Sequence, residues 1–131
     1  MDRSKKVLSI RPNLQLPTSE QQADAEIFQN NTLRPILKLQ HSILVARFDN
    51  DALTLKAKLH TLDDTKMVDY ISVRLKQDKK LQREYIGLIT ALFTLAEYEN
   101  YWPMRSEINR RLLGMLAKRL ISHYKPETKL Y

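Results

Sequence analysis

The stretch Lys79-Lys80-Leu81-Gln82-Arg83-Glu84-Tyr85-Ile86-Gly87-Leu88-Ile89-Thr90-Ala91-Leu92-Phe93-Thr94-Leu95-Ala96-Glu97 decides the fold class. Leu81, Tyr85, Leu88, Ile89 and Leu92 recur at spacings of three and four, the period of an amphipathic α-helix, with Lys79, Lys80, Arg83 and Glu84 on the opposite, solvated side. The run then meets a capping box. The Thr94 hydroxyl can accept from the Glu97 amide while the Glu97 carboxylate accepts from the Thr94 amide. A helix stop and a new start so close together predict a sharp corner.

The same period extends outward in both directions. Upstream, Thr18-Ser19-Glu20-Gln21 reads as a capping box opening a first helix to about Asn30. Thr32 before Leu33-Arg34-Pro35 reads as a second start, whose stripe is Leu33, Ile36, Leu37, Ile43, Leu44 and Phe48. Asp49-Asn50-Asp51 breaks that run, a short helix carries Leu55, Leu59 and Leu62, and Asp63-Asp64-Thr65 opens a helix with Met67, Tyr70, Ile71 and Leu75 on one face. Beyond Trp102-Pro103, a last helix from about Ser106 to Tyr124 carries Ile108, Leu112, Met115, Leu116 and Leu120. Residues 1–17 differ: Leu8, Ile10, Pro12, Leu14 and Leu16 alternate with Ser9, Arg11, Asn13 and Gln15, which predicts an extended or flexible arm that drapes or docks. The expectation is an all-α fold, a compact bundle of five or six helices with an extended N-terminal arm at 1–17 and a single helical domain at 18–131.

Composition agrees. With 131 residues the chain fits one domain with a core of its own, and glycine occurs only twice, at Gly87 and Gly114, both within helical runs. No cysteine is present, so disulfides and thiolate chemistry are excluded. The basic start lacks a following apolar run and no long apolar stretch occurs, so the sequence predicts neither signal peptide nor membrane span, and a cytoplasmic protein.

Three arginines interrupt the apolar stripes: Arg47, Arg74 and Arg119. A charge withdrawn from water needs a partner. Each arginine therefore either meets a carboxylate inside the fold, with Asp69 and Glu97 as candidates, or marks a face that closes on another protein.

Beside these, Asn31-Thr32-Leu33-Arg34-Pro35-Ile36-Leu37-Lys38-Leu39-Gln40, Asp78 with Gly87, Phe93-Thr94-Leu95-Ala96-Glu97-Tyr98, and Asn109-Arg110-Arg111 before Met115 and Arg119-Leu120 resemble a family of small all-helical bacterial proteins of unknown function. The resemblance spans residues 28–121. It departs from the family pattern at Thr90, near which a second glycine is usual, at Gln82, where an arginine is usual, and in its longer leader. Members often carry the name glyoxalase, yet the resemblance implies no substrate.

The residues do not supply that chemistry. His41, His60 and His123 fall on separate predicted helices, and Glu-x-x-His, His-Glu-x-x-His, a phosphate-binding glycine loop and Gly-x-Ser-x-Gly are all missing. The sequence therefore names no catalytic residue, metal or cofactor. Charge is the remaining signal: the formal net charge is +7, and twelve Lys and Arg against six Asp and Glu fall in residues 74–131. Lys79, Lys80 and Arg83 on one helix and Arg110, Arg111 and Lys118 on another outline a basic ridge for phosphate-backbone contact, or a solvated face with Lys80–Glu84 and Glu107–Arg111 pairs.

Three functions stay open. The first is an interaction protein, binding a protein partner or itself as a homo-oligomer through Arg47, Arg74 and Arg119 and the cluster Tyr98, Tyr101, Trp102 and Met104, which could equally be core. The second is a factor that binds nucleic acid weakly through the ridge. The third is an enzyme with a polar pocket for a small anion, lined by Gln40, Asn109 and the three arginines.

Overall fold

The chain order is α1 (Arg3–Ile10), α2 (Asp24–Phe28), α3 (Arg34–Asp49), α4 (Ala52–Ala57), α5 (Asp64–Gln77), α6 (Lys79–Thr90), α7 (Leu95–Tyr101) and α8 (Arg105–Tyr124), in a computed structural model that describes residues 2–14 and 23–125. No strand occurs among the described residues, and the fold is an all-α bundle. α3, α5, α6 and α8 surround the core. Their buried residues keep the helical period: Ile36, Leu37, Leu44 and Phe48 from α3, Met67, Ile71 and Leu75 from α5, Leu81, Tyr85 and Ile89 from α6, and Ile108, Leu112, Leu116 and Leu120 from α8. Burial of each such side chain stabilises the fold by about 1.5–3 kcal/mol. Tyr85 brings a hydroxyl inside and donates it to the Leu44 carbonyl at 2.9 Å; burial pushes its pKa up.

Short polar side chains start most of the helices. Asp51, Asp63 and Asp78 accept from the backbone amides of Leu53, Lys66 and Leu81, and so cap α4, α5 and α6. Thr94 and Glu97 form the reciprocal box at the corner, with Glu97 N–H donating to Thr94 Oγ1 at 3.1 Å and Thr94 N–H to Glu97 Oε1 at 2.8 Å. A 3-10 turn, Trp102–Met104, links α7 to α8, and another, Leu59–Thr61, follows α4.

Three expectations are corrected. Thr32 does not start a helix: α2 runs into α3 through one wider π turn, Gln29–Leu33, in which Thr32 is buried. Pro35 lacks an amide and its ring crowds the preceding turn, and the π turn just before it lets the helix pass instead of ending. Ile43 and Leu55 face outward, 54% and 62% exposed, so the stripe read from spacing is one position too wide on each helix. The proposed capping box at residues 18–21 lies outside the described residues.

The third correction is the N-terminal arm, which is not extended over its first part. Residues Arg3–Ile10 form a helix capped by Asp2, whose side chain accepts from the Lys5 amide. Alternating apolar residues suggest a strand, but the docking contacts follow the helical spacing Arg3, Val7, Arg11. Val7 is buried, and Arg3 donates to the carbonyls of Phe93 and Ala91 at 2.5 and 2.6 Å. Arg11 donates to the Leu92 carbonyl at 2.5 Å. Those carbonyls sit where α6 ends, at the negative pole of its dipole, so Arg3 in α1 and Arg11 just past its end satisfy acceptors the helix leaves open.

Candidate functional site

Arg47 and Arg74 meet their charges inside the fold. Asp51, between α3 and α4, is the shared partner: Arg47 Nη1 donates to its Oδ1 at 2.9 Å and Arg74 Nη2 to its Oδ2 at 3.0 Å. Arg47 Nε reaches Glu84 on α6 at 2.5 Å, and Arg74 Nη2 reaches Asp78 at 3.0 Å while its Nη1 donates to Tyr70 Oη and Thr54 Oγ1. Hydrogen bonding by Glu84 and Asp51 raises the Arg47 pKa above its ordinary value. For Arg74, burial opposes the charge, but the hydrogen bonds it donates to Tyr70 and Asp78 and the field of Asp51 still leave the pKa raised. Burial pushes Asp51 up while Arg47 and Arg74 pull it further down, to a net lowering; Asp78 is lowered first by the Leu81 amide and then by Arg74. This arrangement ties the ends of α3 and α5 to the caps of α4 and α6. The partners are Asp51, Glu84 and Asp78, not Asp69 or Glu97, and the charge argument for sending Arg47 and Arg74 to an interface does not apply.

Glu97 has a different arginine. Arg11 binds it through both nitrogens, Nη1 to Oε2 at 2.7 Å and Nη2 to Oε1 at 2.6 Å, and Thr32 Oγ1 donates to Oε2 at 3.0 Å. Burial pushes the Glu97 carboxyl up, and the Arg11 and Thr94 hydrogen bonds more than reverse it. Sequence reading gives Glu97 the cap and offers it to Arg47, Arg74 and Arg119, not to Arg11. The signal it misses is a leader arginine at helical spacing from Arg3 and Val7.

Arg119 stands apart. It is half-buried on α8, its Nη1 lies 3.3 Å from His41 Nδ1 on α3, and no carboxylate lies within ion-pair distance of it among the described residues. Burial lowers its pKa, and the nearby Arg34 lowers it further.

The polar-pocket candidates have different partners: Gln40 donates to the Leu88 carbonyl at 3.1 Å, and Asn109 accepts from Tyr101 Oη at 2.7 Å. The aromatic cluster divides: Tyr101 is buried against Phe28 and Phe93, and Met104 packs on the core, whereas Tyr98 and Trp102 are 41% and 50% exposed and stack with each other. Leu95, 66% exposed, extends their side of α7. Arg105 lies over the Trp102 ring at 4.0 Å. A groove of about 600 Å³ flanks this ridge, its wall including Asp24, Glu99, Pro103 and Met104.

The basic candidates lie on two helices. Lys79, Lys80 and Arg83 are exposed on α6, and Glu84 pairs with Arg47 in place of the expected Lys80. On α8, Arg110 and Arg111 share Glu107 at 3.7 and 3.2 Å, and Lys118 is exposed. Gly114 lines a groove of about 490 Å³ with Lys76, Gln82 and Arg110. His41, His60 and His123 sit on separate elements, and no group of three metal-ligating side chains occurs among the described residues. No helix among them is long and apolar enough to cross a membrane. The chain matches no protein-family model, no curated protein and no solved structure.

Proposed function

We propose that this chain is an interaction protein that self-associates through α7. One observation carries the reading: Leu95, Tyr98 and Trp102, at spacings of three and four, leave one side of a short helix apolar and open to solvent. Aromatic residues in such a ridge anchor protein contacts, because they bury large area at small entropic cost. Tyr101, one residue away, is held inside by Asn109 and two rings, so the ridge stands on a rigid base.

Charge favours a second copy as the partner. The ridge borders a groove edged by the carboxylates of Asp24 and Glu99, while the chain as a whole carries +7, so the basic surface complementary to that edge is present on the protein itself. Arg47 and Arg74 act within each copy by fixing helix ends. The resemblance to small helical bacterial proteins is compatible with this reading and adds no chemistry to it.

Sedimentation tests it. Wild-type protein is expected to gain mass with concentration, and Trp102→Glu and Leu95→Glu to remain monomeric with unchanged helix content. A wild type that stays monomeric into the tens of micromolar would end the self-association reading.

A further inference from the structure

Both glycines of the chain stand inside helices and neither has a positive φ, so no turn or left-handed backbone requires them. Gly114 lies near the middle of α8, where glycine weakens a helix relative to alanine. It is exposed, and a Cβ built on it would meet no atom of the described residues within 4 Å. Packing inside one copy does not call for a glycine there.

The space beside Gly114 is the groove of about 490 Å³ between α5, the first turns of α6 and α8. Leu75, Leu113 and Ala117 give it an apolar lining, and Lys76 and Arg110 stand exposed at its rim. Gln82 donates to the carbonyls of Leu75 and Lys76 at 2.7 and 2.9 Å, which ties the end of α5 to α6 and holds that wall in place. Along α8, Arg110, Gly114 and Lys118 follow at spacings of four, so a cation stands one turn to either side of the glycine. Arg110 has Glu107 at 3.7 Å, but its side chain is 72% exposed and such a pair holds it weakly.

The α7 ridge has the opposite make-up. Leu95, Tyr98 and Trp102 project from it, and Glu99 and Asp24 place exposed carboxylates along its edge. Arg105 lies over the Trp102 ring and still leaves that residue half exposed. Ridge and groove share no residue.

We propose that the α7 ridge of one copy docks in the Gly114 groove of the next, with its aromatic side chains on Leu75, Leu113 and Ala117 and Glu99 facing Lys76 and Arg110. The inference rests on self-association through α7 and names what the ridge meets. Opposite charges at the two edges set the register. Gly114 lets the incoming helix approach α8 closely, where a side chain would hold the two apart. Because ridge and groove are different surfaces, the contact is head-to-tail and leaves one free ridge and one free groove at the ends of any open assembly.

Complementation tests this. Gly114→Glu fills the groove and repels Glu99, yet it is a good helix former with Arg110 and Lys118 four residues away, so α8 stays intact. Trp102→Glu spoils the ridge alone. In sedimentation the wild type is expected to gain mass with concentration, and each variant to stay monomeric with unchanged helix content. An equimolar mixture of the two variants should form a heterodimer that grows no further, since it contains one kind of intact ridge and one kind of intact groove. Gly114→Ala gives a second measure on a near-native surface: it should raise the urea midpoint, as alanine does in a helix, and weaken association roughly tenfold. If Gly114→Glu associates like wild type while Trp102→Glu is monomeric, the groove is overturned and the α7 ridge stands. A mixture that stays monomeric overturns the pairing of ridge with groove. Association of Trp102→Glu at wild-type strength overturns both this proposal and the α7 reading, as does a wild type that is monomeric into the tens of micromolar.

Discussion

Arg74 and Arg119 occupy similar places in the sequence, each a polar interruption of an apolar helix stripe, and opposite places in the molecule. Arg74 is buried among Asp51, Asp78, Tyr70 and Thr54, and two of those partners are also helix caps. Arg119 is less buried and has a base for a neighbour. The first arginine is therefore part of what holds the bundle together, and the second is a charge the bundle tolerates. The contrast teaches that burial alone does not tell an architectural arginine from a tolerated one; the signs of its neighbours do.

Removing Arg74 should have the largest effect. Arg74→Ala leaves Asp51 and Asp78 facing each other across a partly dry site and is expected to cost about 3–5 kcal/mol in urea unfolding. A loss below about 1 kcal/mol would place Arg74 with Arg119 and erase the contrast. Acid provides a second measure of the same cluster. Asp51 and Asp78 have folded pKa values below their ordinary 3.8, and Glu97 lies below 4.5. A carboxylate with a depressed folded pKa contributes stability that is complete above its unfolded value and vanishes as pH falls through the folded one. Stability should thus hold down to about pH 5 and decline below it, and the decline should be shallower in Arg74→Ala.

Next comes the corner between α6 and α7. Glu97→Ala removes a cap acceptor and also strips Arg11 and Thr32 of their partner, with an expected loss of about 2–4 kcal/mol. Thr94→Ala removes only the other half of the cap and should cost about 1 kcal/mol. Measured together in a double-mutant cycle, the two should be non-additive. Equal losses would mean that Arg11 contributes nothing through Glu97, and that α1 is held by the backbone carbonyls alone.

Much of this is legible in the chain. The spacing of Leu81, Tyr85 and Ile89, the aspartates before α4, α5 and α6, and the Thr94–Glu97 box are local signals, and local physics sets helix period and capping. The partners of Arg47 and Arg74 are half legible: Asp51 and Asp78 stand four residues after them, the spacing of neighbours on one helix face, whereas four residues after Arg119 stands His123. That spacing alone separates Arg119 from the other two arginines. Contacts such as Arg11 to Glu97 and Arg119 to His41 are not legible, because they join residues 86 and 78 positions apart through tertiary packing. The α1 helix escapes a reading by period because alternation over so few residues can satisfy two periods at once, and Arg3, Val7 and Arg11 are docking residues hidden in it.

The smallest expected effect is the most informative. Arg119→Met keeps an unbranched apolar stem and deletes a charge that burial and Arg34 both disfavour. Because the charge of Arg119 adds little to the architecture, the variant should unfold within about 1 kcal/mol of wild type, and on the stable side. A loss comparable to that of Arg74→Ala would show that the contact with His41 holds α3 to α8 as firmly as Asp51 holds α3 to α5, and the two arginines would be alike after all.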